Sequence, residues 1–129
     1  MSALIIDTSS WIAYFGDGRR ADVIEDGLRE GRVYLPPVVA AELTSGTLTK
    51  RKLTELMSFL EDLALCHTPL EHWLRVGSLR AKLRRAGETI STPDAHVAQC
   101  ALDLGGELLS EDGVFRRIAG SAGLRLLAA

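Results

Sequence analysis

The sequence predicts an α/β fold, a three-layer α/β/α sandwich with a mainly parallel central sheet. Short apolar runs alternate along the chain with longer stretches of helical periodicity. Strands that are separated by helices form βαβ units, and their strands lie parallel in one sheet covered by helices. The length of 129 residues suits one domain over residues 1–129.

The predicted strands are short and apolar at consecutive positions, as expected where helices cover both faces of a sheet. They lie at residues 4–7, 33–35, 63–66, 107–110 and 124–127. Helix starts are indicated by the hydroxyls of residues 8–10, by Pro36 and Pro37, and by Thr92 as a cap before Pro93. The apolar stripe of residues 53–60 has helical spacing. It is expected to be core rather than binding surface, as is the group Trp11, Tyr14 and Phe15.

Composition excludes several classes of protein. With 47% apolar and 25% charged residues, the chain has the make-up of a globular protein. The formal net charge of −2 argues against a histone-like nucleic-acid binder. Cys66 and Cys100 form no disulfide framework and no recognisable zinc motif, so we expect small buried side chains. The N-terminus lacks a signal-peptide pattern and no apolar run is long enough for a membrane span, so the sequence predicts a cytoplasmic protein.

Four acidic residues occupy related positions, at the end of a predicted strand or near the start of a helix. Asp7 ends the first strand, and Asp112 follows the fourth. Glu42 lies on the helix that Pro36 and Pro37 begin, and Asp94 follows Pro93. Ligands of open parallel sheets bind beyond the carboxyl ends of the strands, so these side chains are expected to converge. Convergent carboxylates repel one another, and the arrangement predicts Mg²⁺ or Mn²⁺ between them.

Each acid also has an ordinary structural interpretation, because charged residues are usually just exposed. Asp7 can accept hydrogen bonds from the following turn. Asp94 suits the positive end of a helix dipole. Glu42 resembles a surface residue in mid-helix, and Asp112 a turn residue. The metal hypothesis therefore depends on their shared topological position.

Four segments of the chain resemble the motifs of one family in order and spacing. They are IIDTS at 5–9, PVVAAEL at 37–43, TPDAHVA at 92–98 and LSEDGVF at 109–115. The sequence resembles a PIN-domain protein, specifically a VapC-type toxin ribonuclease of a toxin–antitoxin pair. Two positions depart from the family pattern: Ser110 stands where Thr is frequent, and Val114 where many members have a further Asp.

The resemblance implies a magnesium-dependent or manganese-dependent endoribonuclease, the toxin of a type II toxin–antitoxin system. Its catalytic and metal-site residues would be Asp7, Glu42, Asp94 and Asp112, supported by Ser9 (or Thr8) and Ser110. It further implies an RNA substrate, a homodimer, and a groove for an antitoxin segment. Because Val114 replaces an acid, the number of metal ions is left open.

The other polar residues give weaker signals. His67, His72 and His96 lack metal-ligand spacing and are expected to be structural. Basic residues are mostly solvated helix faces, and the densest group is the one predicted to contact RNA phosphates. This group is Arg80, Lys82, Arg84 and Arg85.

Three alternatives to the toxin nuclease stay open. The first is a PIN-domain RNA-processing nuclease that has no antitoxin, and the second is a PIN scaffold that binds metal or RNA without turnover. The third is a receiver-type signalling domain, which also has acids at strand ends. That class generally has an acidic pair after its first strand, whereas Asp7 stands alone here.

Overall fold

The computed structural model describes residues 2–127. Met1 and residues 128–129 lie outside this part. The prediction about the start of the chain therefore falls partly outside the described residues. The expected extent of the domain, residues 1–129, stays a prediction at both ends. Among residues 2–127, no helix combines the length and apolar character needed to cross a membrane.

A sheet of five parallel strands forms the centre of the fold, in the order β3-β2-β1-β4-β5. The strands are β1 (Leu4–Ile6), β2 (Val33–Leu35), β3 (Ala64–Leu65), β4 (Glu107–Leu109) and β5 (Arg125–Leu126). The helices are α1 (Thr8–Asp17), α2 (Ala21–Arg29), α3 (Pro37–Thr44), α4 (Lys50–Glu61), α5 (Leu70–Arg85), α6 (Thr92–Leu104) and α7 (Gly113–Ala122). The predicted α/β fold with its parallel sheet is confirmed.

Two helices begin differently from the prediction. Asp7 is the N-cap residue of α1, so the hydroxyls of residues 8–10 lie inside the first turn rather than before it. In α6 the cap is Ser91, whose Oγ accepts a hydrogen bond from the Asp94 N–H at 3.2 Å, and Thr92 already belongs to the helix. Both errors arise because several residues capable of capping stand next to one another.

The core is built on β1, where Leu4, Ile5 and Ile6 are all buried. Such burial of consecutive positions requires cover on both faces of the sheet. Trp11 joins this core as expected. The same expectation is wrong for Phe15, which is 47% exposed, and for Met57 in the stripe of α4, which is 46% exposed. Helix α4 packs chiefly on α3, at the edge of the molecule, so much of its apolar face remains open.

The packing of α2 on the sheet allows a matched pair of glycine substitutions. A Cβ at Gly27 would lie 3.0 Å from Leu4 Cδ2 and 3.1 Å from Val33 Cγ2, whereas a Cβ at Gly77 on α5 meets nothing within 4 Å. We expect Gly27→Ala to lower the free energy of unfolding by about 1 kcal/mol through overpacking. Gly77→Ala should raise it by about 0.5–1 kcal/mol through helix propensity. Urea denaturation measures both, and equal stabilisation by the two variants would contradict the close approach.

Candidate functional site

The strand order places a crevice at the carboxyl ends of β1 and β4. From β1 the chain proceeds to β2 and β3 on one side, and then returns to β4 and β5 on the other. Ile6 pairs with Leu109, and the Asp7 N–H donates to the Leu109 carbonyl at 2.9 Å. Ligands of open α/β sheets bind where the order of strands reverses. Asp7 and the segment 110–112 lie directly beyond this point.

Asp7 is a buried carboxylate held by two serine hydroxyls. Asp7 is only 6% exposed. Its Oδ2 accepts hydrogen bonds from Ser9 Oγ and Ser110 Oγ, each at 3.0 Å. Ser9 Oγ also accepts the Glu111 N–H at 3.0 Å, which ties the loop after β4 to the start of α1. Burial raises the pKa of Asp7 above its usual value, although the serine hydrogen bonds act in the opposite direction. Ser9 and Ser110, the two residues predicted to support the site, thus both donate to Asp7, and their functional role stays a prediction.

Glu42 reaches the same region from α3. Thr8 Oγ1, in the first turn of α1, donates to Glu42 Oε1 at 2.6 Å. The contact follows from the packing of α1 on α3. Glu42 is exposed, and its charge adds to the rise in the pKa of Asp7. Thr8 thus orients Glu42 while Ser9 orients Asp7.

Asp94 joins the other acids from the first turn of α6. Burial has the largest effect and raises the pKa of Asp94, a hydrogen bond with Ser91 opposes this rise, and the negative charges of Asp7, Asp112 and Glu42 add to it. The charged groups that act on Asp94 are thus the three other predicted site residues. The four carboxylates share one electrostatic environment at the ends of β1 and β4.

Asp112 is the N-cap residue of α7. Its Oδ1 accepts the Val114 N–H at 3.0 Å, and its own N–H donates to Ser110 Oγ at 3.0 Å. The ordinary interpretation of Asp112 as a local structural residue is therefore partly correct, because capping is one of its tasks. Its charge nevertheless acts on Asp94.

A second polar cluster contains none of these acids and was not predicted from the sequence. Among residues 2–127, one group of three histidine, cysteine or acidic residues has donor atoms that all lie within 4.8 Å of one another. It consists of His72, His96 and Cys100. The four carboxylates do not meet that spacing. Mg²⁺ often keeps several waters and takes few carboxylates directly, so their role as ligands stays a prediction.

His72 and His96 lie in contact although their spacing in the sequence matches no metal-binding motif. His72 lies on α5 and His96 on α6, and packing of these helices brings His72 Nε2 to 2.8 Å from His96 Nδ1. Burial, followed by the proximity of His72, lowers the pKa of His96 to about 4. The available signal was the spacing of His96, Cys100 and Asp103, which places all three on one face of α6.

Arginines anchor the loop that precedes α6. Arg80 Nε donates to the Ile90 carbonyl at 3.1 Å, and Arg117 Nε donates to Glu88 Oε2 at 2.6 Å. Arg80, expected to contact RNA, thus has a structural partner. Lys82, Arg84 and Arg85 are exposed. Contact of this group with a phosphate stays a prediction.

The serine hydrogen bonds give a testable effect on the Asp7 carboxyl. Ser110→Ala removes a donor to the ionised form, so the pKa of Asp7 should rise further. Ser10→Ala is the matched control, because Ser10 Oγ is buried without a partner among the described residues. The control should leave the pKa unchanged and keep or improve stability. A carbon-detected NMR titration of the aspartate carboxyls measures both, and an unchanged pKa in the Ser110 variant would contradict the assigned hydrogen bond.

Comparisons with known proteins agree with this geometry. The family model of the PIN domain matches residues 4–121. DNA-bound VapBC from Salmonella typhimurium matches with a TM-score of 0.81 and 20% identity, covering 98% of both chains. VapBC2 from Rickettsia felis, bound to a promoter DNA fragment, matches with a TM-score of 0.75 and 20% identity, covering 97% of both chains.

A third solved structure covers the full length. VapBC-5 from Mycobacterium tuberculosis matches with a TM-score of 0.71 and 21% identity, covering 100% of both chains. No curated protein matches by sequence. At these identities the solved structures establish the fold, and the family model matches most of the chain. The resemblance noted in the four motifs is confirmed: this chain belongs to the PIN-domain family.

Proposed function

We propose that the protein is a metal-dependent endoribonuclease and the toxin of a type II toxin–antitoxin pair. The observation that carries this proposal is the shared environment of Asp7, Glu42, Asp94 and Asp112 at the switch point of a PIN-domain sheet. An all-oxygen donor set with excess negative charge suits a hard divalent cation. Mg²⁺ or Mn²⁺ is the cofactor that we propose.

The donor set fits such a cation on electrostatic grounds. Burial and the neighbouring acids raise the pKa values of both Asp7 and Asp94. Keeping these two carboxylates ionised in the folded protein therefore costs free energy. A divalent cation relieves that cost. We assign Asp7 and Asp94 as the principal ligands, because they are the two less exposed acids. Glu42 and Asp112 complete the cluster, directly or through water.

Each residue then has a defined task in phosphodiester hydrolysis. A bound divalent cation supplies neutralisation of the phosphoryl charge and makes a water more acidic. Ser9 and Ser110 hold Asp7 in a fixed orientation, and Thr8 does the same for Glu42. One of the two exposed carboxylates, Glu42 or Asp112, would orient the attacking water and accept its proton.

We propose RNA as the substrate, bound mainly through its phosphates. Aromatic residues make up only 5% of the chain, so base stacking would contribute little. The basic group of α5 and Arg116 are the proposed phosphate contacts. Arg116 lines a cavity of about 100 Å³ together with Ser110 and Asp112, next to the acids. Arg80 would contribute chiefly by holding the loop before α6.

The antitoxin partner is proposed to bind an apolar groove between α1 and α4. The groove has a volume of about 460 Å³ and is lined by Phe15, Leu48, Leu56 and Phe59, with Lys52 and Glu55 among the lining residues. Solved structures with the same fold include VapBC complexes, which supports a peptide segment as the occupant. An antitoxin arginine that enters the acid cluster would inhibit the enzyme.

We also propose that the protein forms a homodimer and that it is located in the cytoplasm.

The activity test is cleavage of structured RNA by the purified protein with Mg²⁺ or Mn²⁺. We expect cleavage that a chelator abolishes and that Asp94→Asn reduces by about 100-fold. Asp62→Asn is the matched control, an exposed aspartate at the end of α4, and should cleave at the wild-type rate. Equal cleavage with the chelator, or by the Asp94 variant, would overturn the metal-dependent site. Binding of RNA without turnover would favour the scaffold alternative.

The partner test uses co-expression with the product of the adjacent open reading frame. Phe15→Asp places a charge in the groove and should weaken the complex at least about 10-fold, because burial of a charge without a partner is costly. Leu74→Asp changes a 62% exposed leucine on α5 and should leave the complex intact. Equal binding by both variants would exclude the groove, and absence of any complex would favour an RNA-processing nuclease.

A further inference from the structure

We propose a second metal site in this protein, a buried Zn²⁺ site formed by His72, His96 and Cys100 with Cys66 as the fourth ligand. The site joins α5, α6 and the end of β3. It uses none of the four carboxylates and does not depend on the proposed nuclease activity.

The donor atoms already lie close together. His72 Nε2 is 2.8 Å from His96 Nδ1, and with one donor atom from each residue the atoms of His72, His96 and Cys100 all lie within 4.8 Å of one another. The exposed fractions of these residues are 0%, 0% and 2%. In tetrahedral zinc sites, metal–ligand bonds of about 2.0–2.3 Å place neighbouring donor atoms roughly 3.3–3.8 Å apart. These three donors would therefore have to move by about 1 Å to bind one ion, with His96 using one of its two ring nitrogens.

The surroundings of His72 match those of a metal-binding histidine. His72 Nδ1 donates to Asp103 Oδ2 at 2.7 Å, which directs the Nε2 lone pair into the cluster. Asp103 is in turn held by Arg75 Nε at 2.8 Å and by Gln99 Nε2 at 2.8 Å. A carboxylate that accepts the distal N–H of a ligating histidine is a frequent partner of zinc sites.

Cys66 supplies the remaining donor. It is 3% exposed, its backbone N–H donates to the Leu35 carbonyl at 2.9 Å, and its thiol lies close enough to Cys100 to raise the pKa of the Cys100 thiol. Both cysteines are free and buried, and Cys66 lies next to the group of donor atoms formed by His72, His96 and Cys100, which it would have to approach to complete the site. Sulfur and imidazole ligands favour Zn²⁺, whereas Mg²⁺ and Mn²⁺ favour the oxygen ligands of the acid site.

Charge balance also favours this assignment. Binding of Zn²⁺ converts the Cys66 and Cys100 thiols to thiolates and releases two protons to solvent, while both histidines remain neutral. The resulting centre has no net charge, which suits a core with almost no exposure to water. The competing interpretation is a metal-free chain of hydrogen bonds. In it Cys100 donates to His96, His96 donates to His72, and His72 donates to Asp103. Metal content distinguishes the two.

The experiment measures metal retained by tag-free protein after loading with Zn²⁺ and dialysis against metal-free buffer. We expect about one zinc per wild-type chain, and a loss of zinc affinity of at least about 10-fold in His72→Gln, Cys100→Ser and Cys66→Ser. His67→Gln is the matched control, an exposed histidine beside Cys66. Asp94→Asn controls for zinc at the acid site. Both controls should retain zinc as the wild type does.

A second measurement needs only the wild-type protein. Titration of the zinc-free chain with Co²⁺ should produce the near-ultraviolet absorption of a thiolate bound to cobalt, which carboxylates cannot give. Wild-type protein that retains no zinc, or cobalt binding without that absorption, would overturn the site whether or not the variants fold. Full zinc retention by Cys66→Ser would overturn the role of Cys66. None of these three results would test the proposed RNA cleavage.

Discussion

Asp7→Asn should reduce RNA cleavage on the order of 100-fold or more, because it removes the most buried of the proposed metal ligands. The asparagine Oδ1 can still accept the hydrogen bonds from Ser9 and Ser110, so the local structure should persist. Initial rates at saturating Mg²⁺ or Mn²⁺ measure the effect. Cleavage at the wild-type rate would exclude Asp7 from the site.

The same substitution should make the metal-free protein more stable. The folded-state pKa of Asp7 lies above 3.8, so its ionised form is disfavoured by folding and destabilises the protein at pH values above that folded pKa. Asn carries no charge, so we expect it to raise the free energy of unfolding near neutral pH. The gain should vanish as the pH falls below 3.8, where Asp7 is protonated in both states. Urea denaturation with a chelator measures it, and a loss of stability would show that Asp7 is mainly structural.

The sequence predicted the fold and the meeting place of the acids for a topological reason. Strands β1 and β4 can each be recognised from their own apolar residues, whatever the rest of the chain contains. In a parallel sheet their carboxyl ends share an edge, so Asp7 and Asp112 were expected to converge. The local hydrogen bonds were not predictable in the same way. Ser91 rather than Thr92 caps α6, and this one-residue difference depends on the path of the preceding loop, which Arg80 and Arg117 anchor.

The features that the sequence did not predict depend on contacts between helices. Helical periodicity in α4 identifies an apolar face, but it does not say whether the core or a groove covers that face. Leu56 and Phe59 consequently line the groove, although the stripe around them was expected to be core. The contact between His72 and His96 likewise depends on the axial position of α5 against α6. Nothing within either helix specifies that position.

The buried histidine pair should make stability depend on pH. The pKa of His96 is lowered from 6.5 to about 4, so between these values the unfolded chain binds a proton that the folded protein excludes. Stability is full above pH 6.5 and falls as the pH decreases toward about 4. The loss from this group is on the order of 3 kcal/mol. Asp7 and Asp94, whose pKa values are raised, act in the opposite direction, so the wild-type curve alone does not isolate His96.

A comparison of variants isolates the contribution of His96. In a chelating buffer, His96→Gln should flatten the decline in the free energy of unfolding over this range, whatever its stability near neutral pH, because glutamine does not titrate. His67→Gln should keep the wild-type decline, since His67 is exposed. The groups that face His96 are His72, Cys100 and the stacked Trp73, with Asp103 acting beyond His72. Parallel curves for wild type and the His96 variant would mean that the imidazole is protonated in the fold, with Asp103 as the compensating charge.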